Sequence, residues 1–205
     1  MTKKPLFKKI WQFIWNEDSL LSWVINIILA FVIIKFLLYP GLGLVLGTQA
    51  PIVAVVSGSM EHDAEFDKWW NEPSCCDDQC IQTMIQGDYY EQAGVSKEEF
   101  MKFPSKYGFD KGDIMFLHNN GEIITGDVIV YSIKEKADPI IHRVIDVKEE
   151  NGKKYYFTKG DHNCGIASFE KAIPEERIIG KSFLRIPFLG WIKIGFVKII
   201  SLFMR

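Results

Sequence analysis

The stretch at positions 140–159 reads IIHRVIDVKEENGKKYYFTK and contains the strongest hairpin signal in the chain, Asn151-Gly152. A type I′ turn needs positive φ at both central residues, which asparagine and glycine tolerate best. The flanking runs Ile140–Val147 and Lys153–Lys159 are rich in β-branched and aromatic residues. They are therefore predicted to be two paired strands.

Three further runs have the same character and are bounded by turn residues: Ile114–His118, Asp127–Ile133 and Ile178–Arg185. Short strands at this spacing, with no long helix between them, are typical of an antiparallel sheet. The chain is therefore predicted to be mainly β, with an antiparallel β-domain over residues 111–186.

Upstream of this domain, residues 19–39 form a run of 21 residues whose only strongly polar members are Asn26 and Lys35. A helix of this length rises about 31 Å, which matches the hydrocarbon core of a bilayer. A cleaved export signal has a shorter apolar core, of about 7–15 residues. We therefore predict a transmembrane anchor. The segment 1–18 contributes four lysines, Lys3, Lys4, Lys8 and Lys9, which predict a cytoplasmic N-terminus and an external remainder.

The composition limits the remaining possibilities. With 205 residues, the chain has room for one ordinary domain beside its membrane segments. The net charge of −2 argues against nucleic-acid binding, which would need a strongly basic face. Residues 40–60 connect the anchor to the rest of the chain and contain no charged residue.

Residues 61–110 form an acidic block, with twelve Asp and Glu against four Lys. We predict a small helical insertion here, with Asp63, Ser74 and Ser96 as helix caps. Ser96 is followed three residues later by a glutamate, which is the capping-box spacing. The helix that it starts should end before Pro104.

Three of the four cysteines, Cys75, Cys76 and Cys80, lie in this insertion. Outside the cytoplasm, Cys75 or Cys76 could form a disulfide with Cys80. The alternative is a metal site that uses these cysteines and His62. The spacing C-C-x3-C lacks the paired C-x2-C units of such sites, so no metal or other cofactor is expected.

The hairpin also aligns a histidine with an aspartate. A two-residue turn at 151–152 makes the numbers of facing residues sum to 303, so His142 is predicted to lie opposite Asp161. Facing Cβ atoms are about 4.5–5.5 Å apart, which suits a carboxylate that orients an imidazole. A single β-bulge would shift this register, and a His–Asp pair on a sheet can also be a plain surface contact.

The segment V-V-S-G-S-M at 55–60 supplies a candidate nucleophile, Ser59. A serine hydroxyl needs a base to take its proton, and a neutral histidine such as His142 can do this. Ser57 lies two residues back and would share a face with Ser59 on an extended chain, where it could donate to an oxyanion. By itself, a serine-glycine string is equally typical of a loop.

Six blocks occur in one order along the chain: V-V-S-G-S-M (55–60), K-G-D-I-M-F (111–116), G-D-V-I-V-Y (126–131), I-H-R-V-I (141–145), T-K-G-D-H-N (158–163) and R-I-P-F-L-G-W (185–191). Together they resemble the type I signal peptidases of archaea and the endoplasmic reticulum. Bacterial-type relatives have a lysine base where this chain has His142. The resemblance implies Ser59 as nucleophile, His142 as general base and Asp161 as acidic partner. It also implies that Ser57 and the Ser59 amide stabilise the oxyanion.

The resemblance implies a membrane-bound serine endopeptidase that cleaves signal peptides from exported proteins through an acyl-enzyme. The implied partners are preprotein signal peptides, membrane lipid and the protein-export translocon. The implied location is the cell membrane or the endoplasmic-reticulum membrane, with the catalytic domain on the extracytoplasmic side. One alternative is a catalytically silent scaffold relative, and another is a metal hydrolase built from the cysteines and histidines of the insertion.

Two features depart from the family pattern. Relatives often carry a further aspartate about six residues after the one in T-K-G-D, whereas residues 162–167 of this chain contain no acidic residue. Relatives also run from S-M-x-P into the next strand, whereas this chain has Glu61-His62-Asp63 and roughly fifty inserted residues. The insertion could gate the cleft, touch a partner or decorate an edge, and decoration is the interpretation that we adopt. His62 is expected at the surface.

Residues 187–205 are predicted to form a final helix that starts at Pro187. Its polar residues fall within about 140° of a helical wheel, and large apolar residues occupy the rest. The polar set consists of Gly190, Lys193, Lys198, Ser201 and Arg205. Gathered polar residues favour an amphipathic helix in the membrane interface. A spanning helix with snorkelling lysines is the alternative.

Overall fold

The structure is a computed structural model that describes residues 5–73, 84–134, 136 and 138–203. It divides into two compact units, Met1–Val45 and Leu46–Arg205. Ser74 and the three cysteines of the insertion lie outside the described residues, so the predictions made for them stay predictions.

The N-terminal unit is helical. Helix α1 spans Leu6–Asn16, and a second helical stretch continues through α2 (Leu20–Ile33), a π-helical turn (Ile34–Leu38) and α3 (Tyr39–Leu46). Ser19 caps α2, because its Oγ accepts a hydrogen bond from the Ser22 N–H at 3.2 Å. In a regular helix the Pro40 ring would clash with the Phe36 carbonyl, and the π turn that contains Phe36 gives this carbonyl room.

The stretch Leu20–Leu46 has 27 residues and a mean hydropathy of 2.5. Among the described residues it is the one helix that is long and apolar enough to cross a membrane, judged by length and composition. It continues beyond Tyr39, where the predicted anchor ends. Most of its large apolar side chains are exposed, as in a helix that faces lipid.

The second unit contains seven strands: β1 (Ile52–Ala54), β2 (Ile114–His118), β3 (Val128–Tyr131), β4 (Ile140–Glu150), β5 (Lys153–Lys159), β6 (Ile173–Pro174) and β7 (Ile178–Ile186). They form one antiparallel sheet in the order β1-β2-β7-β3-β4-β5-β6. The predicted antiparallel fold is confirmed, and β2 and β5 have the predicted bounds. The five runs predicted as strands do not include β1 and β6, which have only three and two residues. The apolar run Leu42–Val56, which was expected to supply a substrate-binding strand, contains β1.

The turn between β4 and β5 has the predicted conformation, with φ of 53° at Asn151 and 73° at Gly152. The predicted register holds from the turn to the pair Asp146–Phe157. Beyond it, Val144 pairs with Thr158, whereas the predicted register would pair Ile145 with Thr158. The register shifts at Ile145, the extra residue of a β-bulge. The prediction that His142 lies directly opposite Asp161 is therefore wrong.

The insertion is helical, as predicted. Its described part contains α4 (Phe66–Trp70), α5 (Gln86–Gln92) and α6 (Lys97–Phe100). The cap at Ser96 is confirmed, because its Oγ accepts a hydrogen bond from the Glu99 N–H at 3.2 Å. The cap at Asp63 is wrong, because Glu65 precedes α4 and the Asp63 carboxylate lies 3.4 Å from the His162 ring.

The insertion packs against the sheet through a buried aromatic cluster: Phe66, Trp69, Trp70, Tyr90 and Phe100, together with Val95 and Ile145. Tyr90 and Phe100 are fully buried and meet edge to face, with ring centroids 4.7 Å apart. Ile145 is contributed by β4, at the bulge. The insertion is therefore part of the hydrophobic core, and the interpretation that it decorates an edge is wrong.

The last helix, α7, spans Trp191–Phe203. It begins later than the predicted start at Pro187, because Phe188 adopts a left-handed φ of 62° that a helix does not allow. Trp191 packs against the chain just before β2, where its indole fills the space that a side chain on Gly112 would need.

Candidate active site

A serine and a histidine from two separate segments meet in the second unit. Ser59 lies in a turn after β1, in which the Glu61 N–H donates to the Gly58 carbonyl at 3.1 Å. His142 is the third residue of β4 and is 4% exposed. Its Nε2 lies 3.0 Å from the Ser59 Oγ, which is hydrogen-bond distance for proton transfer from the serine.

The carboxylate next to His142 belongs to Glu170, at the end of a 3₁₀ turn (Ser168–Glu170). Its Oε1 lies 2.5 Å from the His142 Nδ1, and its side chain is fully buried. Backbone N–H groups hold it in place, Gly160 donating to Oε1 at 3.2 Å and Ala167 to Oε2 at 2.6 Å. A carboxylate in this position can orient the ring and stabilise its cation.

Glu170 was not predicted from the sequence, because the further acidic residue of relatives is expected within 162–167 and Glu170 lies three residues beyond that range. The signal that could have found it is simple, since Glu170 is the next acidic residue after Asp161.

Asp161, the predicted acidic partner, lies in a different environment. Its Oδ2 accepts from the Arg143 Nη2 at 2.7 Å, and its Oδ1 accepts from the Arg143 Nε at 3.0 Å. The Tyr90 hydroxyl donates to Oδ1 at 2.6 Å, and the His62 Nε2 lies 3.0 Å from Oδ2. The carboxylate that contacts His142 is thus Glu170, while Asp161 forms a buried ion pair with Arg143.

The charges around Asp161 keep it ionised. Burial alone would raise the pKa of Asp161, but the Arg143 cation and the hydrogen bond from His62 outweigh it and lower the pKa below its usual range. Burial and the neighbouring Asp161 charge raise the pKa of Tyr90 well above its usual value. Tyr90 therefore stays a neutral donor, and Asp161 stays an acceptor at any physiological pH.

The cleft in front of Ser59 has a volume of about 290 Å³. Its lining is mostly apolar, with Ala54, Val56, Pro139, Ile141 and Phe169 among its residues. Ser57 also lines it, and its Oγ lies 3.3 Å from the Ser59 Oγ. The predicted oxyanion donor is therefore brought to the same place as the nucleophile.

His62 was expected at the surface, and this is wrong. Its side chain is 2% exposed and stacks on Trp69, with ring centroids 3.6 Å apart and planes 9° from parallel. Within the described ranges, no group of three or more His, Cys, Asp or Glu is arranged to hold a metal ion. The ring of His62 is turned to Asp161 instead.

A serine within hydrogen-bond distance of a buried histidine, which in turn contacts a buried glutamate, on an antiparallel β-domain that follows an apolar helix of membrane length, is the arrangement of membrane-anchored serine hydrolases.

Three relatives share one name, signal peptidase complex catalytic subunit SEC11. The Lachancea thermotolerans protein is 32% identical over 168 residues, which are 78% of this chain and 73% of that protein. The Neurospora crassa protein is 26% identical over 78% of this chain and 71% of its own length. The Clavispora lusitaniae protein is 46% identical over 57 residues, or 27% of this chain and 34% of its own. No protein-family model matches the chain. The chain belongs to the type I signal peptidase family, of which SEC11 is a member.

Proposed function

We propose that this chain is a membrane-bound serine endopeptidase that removes signal peptides from exported proteins. The observation that carries the proposal is the 3.0 Å contact between the Ser59 Oγ and the His142 Nε2 at the edge of an apolar cleft. The names of the relatives point to the same activity. A catalytically silent scaffold would need neither group, and the hydrogen-bond distance between the two groups supports the enzyme.

In this mechanism His142 accepts the Ser59 proton at Nε2 as Oγ attacks the scissile carbonyl carbon. The tetrahedral intermediate collapses, the C–N bond breaks, and His142 returns the proton to the departing amine. A water molecule then gives a proton to His142 and attacks the ester carbon. The acyl bond to Ser59 breaks, the signal peptide leaves with a carboxylate end, and Ser59 regains its proton.

Glu170 acts on this cycle through His142. A carboxylate at Nδ1 favours the tautomer with a proton on Nδ1, which leaves the Nε2 lone pair free for the serine proton. It also stabilises the imidazolium that forms in each half of the reaction. The role that the sequence assigned to Asp161 is therefore assigned to Glu170 in our proposal, because Glu170 is the carboxylate in contact.

The oxyanion is stabilised by the Ser59 backbone N–H and the Ser57 hydroxyl in this proposal. Ser57 supports it by lying beside the nucleophile in the cleft. Hydrogen-bond donors that are already in place gain strength where charge develops, so each contributes to the rate.

The substrate would lie extended along β1, which is the edge strand of the sheet. An extended peptide can pair with the free backbone groups of such an edge while its side chains enter the cleft. The apolar walls, with Val56 and Ile141, suit the small residues that family substrates carry before the scissile bond.

The membrane environment and the partners are part of the proposal. The helix Leu20–Leu46 anchors the chain, with the basic N-terminus cytoplasmic and the β-domain on the extracytoplasmic side of the endoplasmic-reticulum or cell membrane. The relatives are named as subunits of a signal peptidase complex, so we expect further subunits as partners of this chain. The translocon stays a partner that the proposed activity implies. Helix α7 is proposed to lie in the lipid interface, because its polar residues share one side of the helix and large apolar side chains such as Ile192 and Phe196 are exposed.

The test is cleavage of a preprotein by the full chain in liposomes. We expect Ser59→Ala and His142→Ala to lose activity by about 10⁴-fold or more, because nucleophile and base act as one unit. His118→Gln, at the half-buried C-terminal end of β2, is the matched control and should keep its rate within about twofold. Tryptophan fluorescence checks that each variant is folded. Substantial cleavage by folded Ser59→Ala would overturn the proposal.

A further inference from the structure

Three residues of the 59–62 segment, Ser59, Met60 and His62, contact Asp161 or His162. The His162 N–H donates to the Ser59 carbonyl at 2.9 Å. The Asp161 N–H lies 3.4 Å from the Met60 Sδ. The His62 Nε2 lies 3.0 Å from the Asp161 Oδ2. The backbone of Ser59 is thus fixed from its C-terminal side.

His62 is the side chain that secures the end of this attachment. The Trp69 indole of α4 covers one face of its ring, and the aromatic cluster of the insertion surrounds that indole. The Gly108 backbone passes so close that a side chain there would collide with the ring. Its position in the insertion therefore leaves the His62 ring one orientation, directed at Asp161.

The protonation of the ring fits a donor role. Asp161 is an ionised acceptor, so the Nε2 of His62 carries the proton and donates it. The Nδ1 is buried, and the described part of the chain offers it no hydrogen-bond partner. Nε2 is therefore the ring nitrogen that has an acceptor for its hydrogen, and that acceptor is Asp161.

The other partners of Asp161 connect the same carboxylate to the general base. Arg143 follows His142 directly in β4 and donates to Asp161 from Nε and Nη2. The same guanidinium donates to the carbonyls of Pro104 and Ser105 in the insertion, both at 2.8 Å. The Asp161 carboxylate thus contacts both His62, which lies three residues after Ser59, and Arg143, which follows His142.

We propose that His62 is a positioning residue, which holds Ser59 within reach of His142 by anchoring the 59–62 segment to Asp161. The insertion then completes the active site, because it supplies both His62 and the aromatic surroundings that orient it. This inference rests on the proposed function of Ser59 as nucleophile.

The experiment separates the hydrogen bond of His62 from its packing. His62→Phe keeps a ring on Trp69 and removes the donor, whereas His62→Gln keeps an N–H donor near the position of Nε2. We expect His62→Phe to lower kcat about 10- to 100-fold with KM changed less than about twofold, since a misplacement near 1 Å can cost this much. His62→Gln should recover kcat to within about fivefold of wild type. His62→Asn, whose amide is too short to reach, replaces the phenylalanine variant if that variant does not fold.

The matched comparison is Tyr90→Phe, which removes a hydrogen bond from the same carboxylate but leaves the 59–62 segment untouched. The inference predicts a smaller loss of kcat in Tyr90→Phe than in His62→Phe. A second readout is the rate at which a fluorophosphonate labels Ser59 in the folded fraction, which should fall in parallel with kcat.

Three outcomes would overturn the inference. One is wild-type kcat in folded His62→Phe. Another is equal loss in Tyr90→Phe and His62→Phe. The third is a loss of folded protein with an unchanged labelling rate per folded molecule, which would make His62 merely structural. Failure of the proposed function would look different, because Ser59→Ala would then still cleave the preprotein.

Discussion

Two clusters of polar side chains meet at the consecutive residues His142 and Arg143 and differ in what they can do. The catalytic cluster consists of Ser59, His142 and Glu170, and the charge cluster consists of Asp161, Arg143, His62 and Tyr90. Glu170 and Asp161 are equally buried, at 0% exposed. Glu170 faces the imidazole of His142, which takes up the Ser59 proton in the proposed mechanism. Asp161 forms an ion pair with the guanidinium of Arg143, whose charge does not change, and also contacts the His62 ring, which has no part in the proton transfer.

The role of each buried carboxylate follows from the side chain that it contacts. Strand β4 supplies one partner to each cluster, from the consecutive residues His142 and Arg143. Consecutive side chains of a strand point to opposite faces, so one step along the chain separates catalysis from support. Substitutions in each cluster and a change of pH can test this division, from the largest expected effect to the smallest.

Glu170→Gln should break the catalytic cluster and leave the fold intact. The amide cannot stabilise an imidazolium, so we expect kcat for preprotein cleavage to fall about 10³–10⁴-fold. The midpoint of thermal unfolding should change little. Glu170→Asp is the control and should retain more activity, because it keeps the charge. If Asp161→Asn, in a folded sample, lowered kcat more than Glu170→Gln, the division of roles would be refuted.

Arg143→Met should break the charge cluster. It leaves Asp161 buried without its cation, so we expect the free energy of unfolding to fall by about 3–5 kcal/mol. The measurement is denaturant unfolding followed by the fluorescence of Trp69 and Trp70, which lie in the adjoining aromatic cluster.

The double variant Arg143→Met with Asp161→Leu is the control for this prediction. It removes both charges, so it should be more stable than Arg143→Met alone. If the two variants had the same free energy of unfolding, the loss of stability would come from the missing arginine contacts and not from the unpaired carboxylate.

Acid should separate the two clusters. The pKa of Asp161 is lower in the folded than in the unfolded chain, so its stabilising effect is complete above the unfolded value, about 3.9, and is lost as the pH falls below it. Between pH 7 and 5 we therefore expect this contribution to stability to stay constant, so that any fall in the cleavage rate over this range comes from the catalytic cluster. Parallel pH profiles of cleavage rate and thermal unfolding check this, and a joint decline above pH 5 would contradict it.

The strands, the hairpin turn and the Ser59–His142 pair could be predicted because each depends on residues close together in the sequence or on an ordered set of motifs. Asn151-Gly152 is an example, since its turn follows from the two residues themselves. The bulge at Ile145 could not be predicted in this way. Isoleucine fits a regular strand equally well, and the shift places the residue against the insertion, which is distant in sequence.

The two carboxylates and His62 show a second limit. Glu170 reaches His142 because the chain after Asp161 folds back, so that the Gly160 N–H binds the Glu170 carboxylate. The burial of His62 depends on Trp69 and on the path of the chain at Gly108. These contacts come from tertiary packing, which residue types and spacing do not encode one at a time.

The insertion leaves and rejoins the β-domain through a closed stem. The Val55 carbonyl accepts from the Gly112 N–H at 2.9 Å, and the Met60 carbonyl accepts from the Phe109 N–H at 3.0 Å. Lengthening a loop whose ends are already joined costs little entropy, only about 0.6 kcal/mol for each doubling. The inserted segment could therefore be replaced in evolution by another module, a segment of different length and sequence, without a change in the sheet. Each new module would have to bury the Asp161–Arg143 pair, as the present insertion does with Tyr90 and His62.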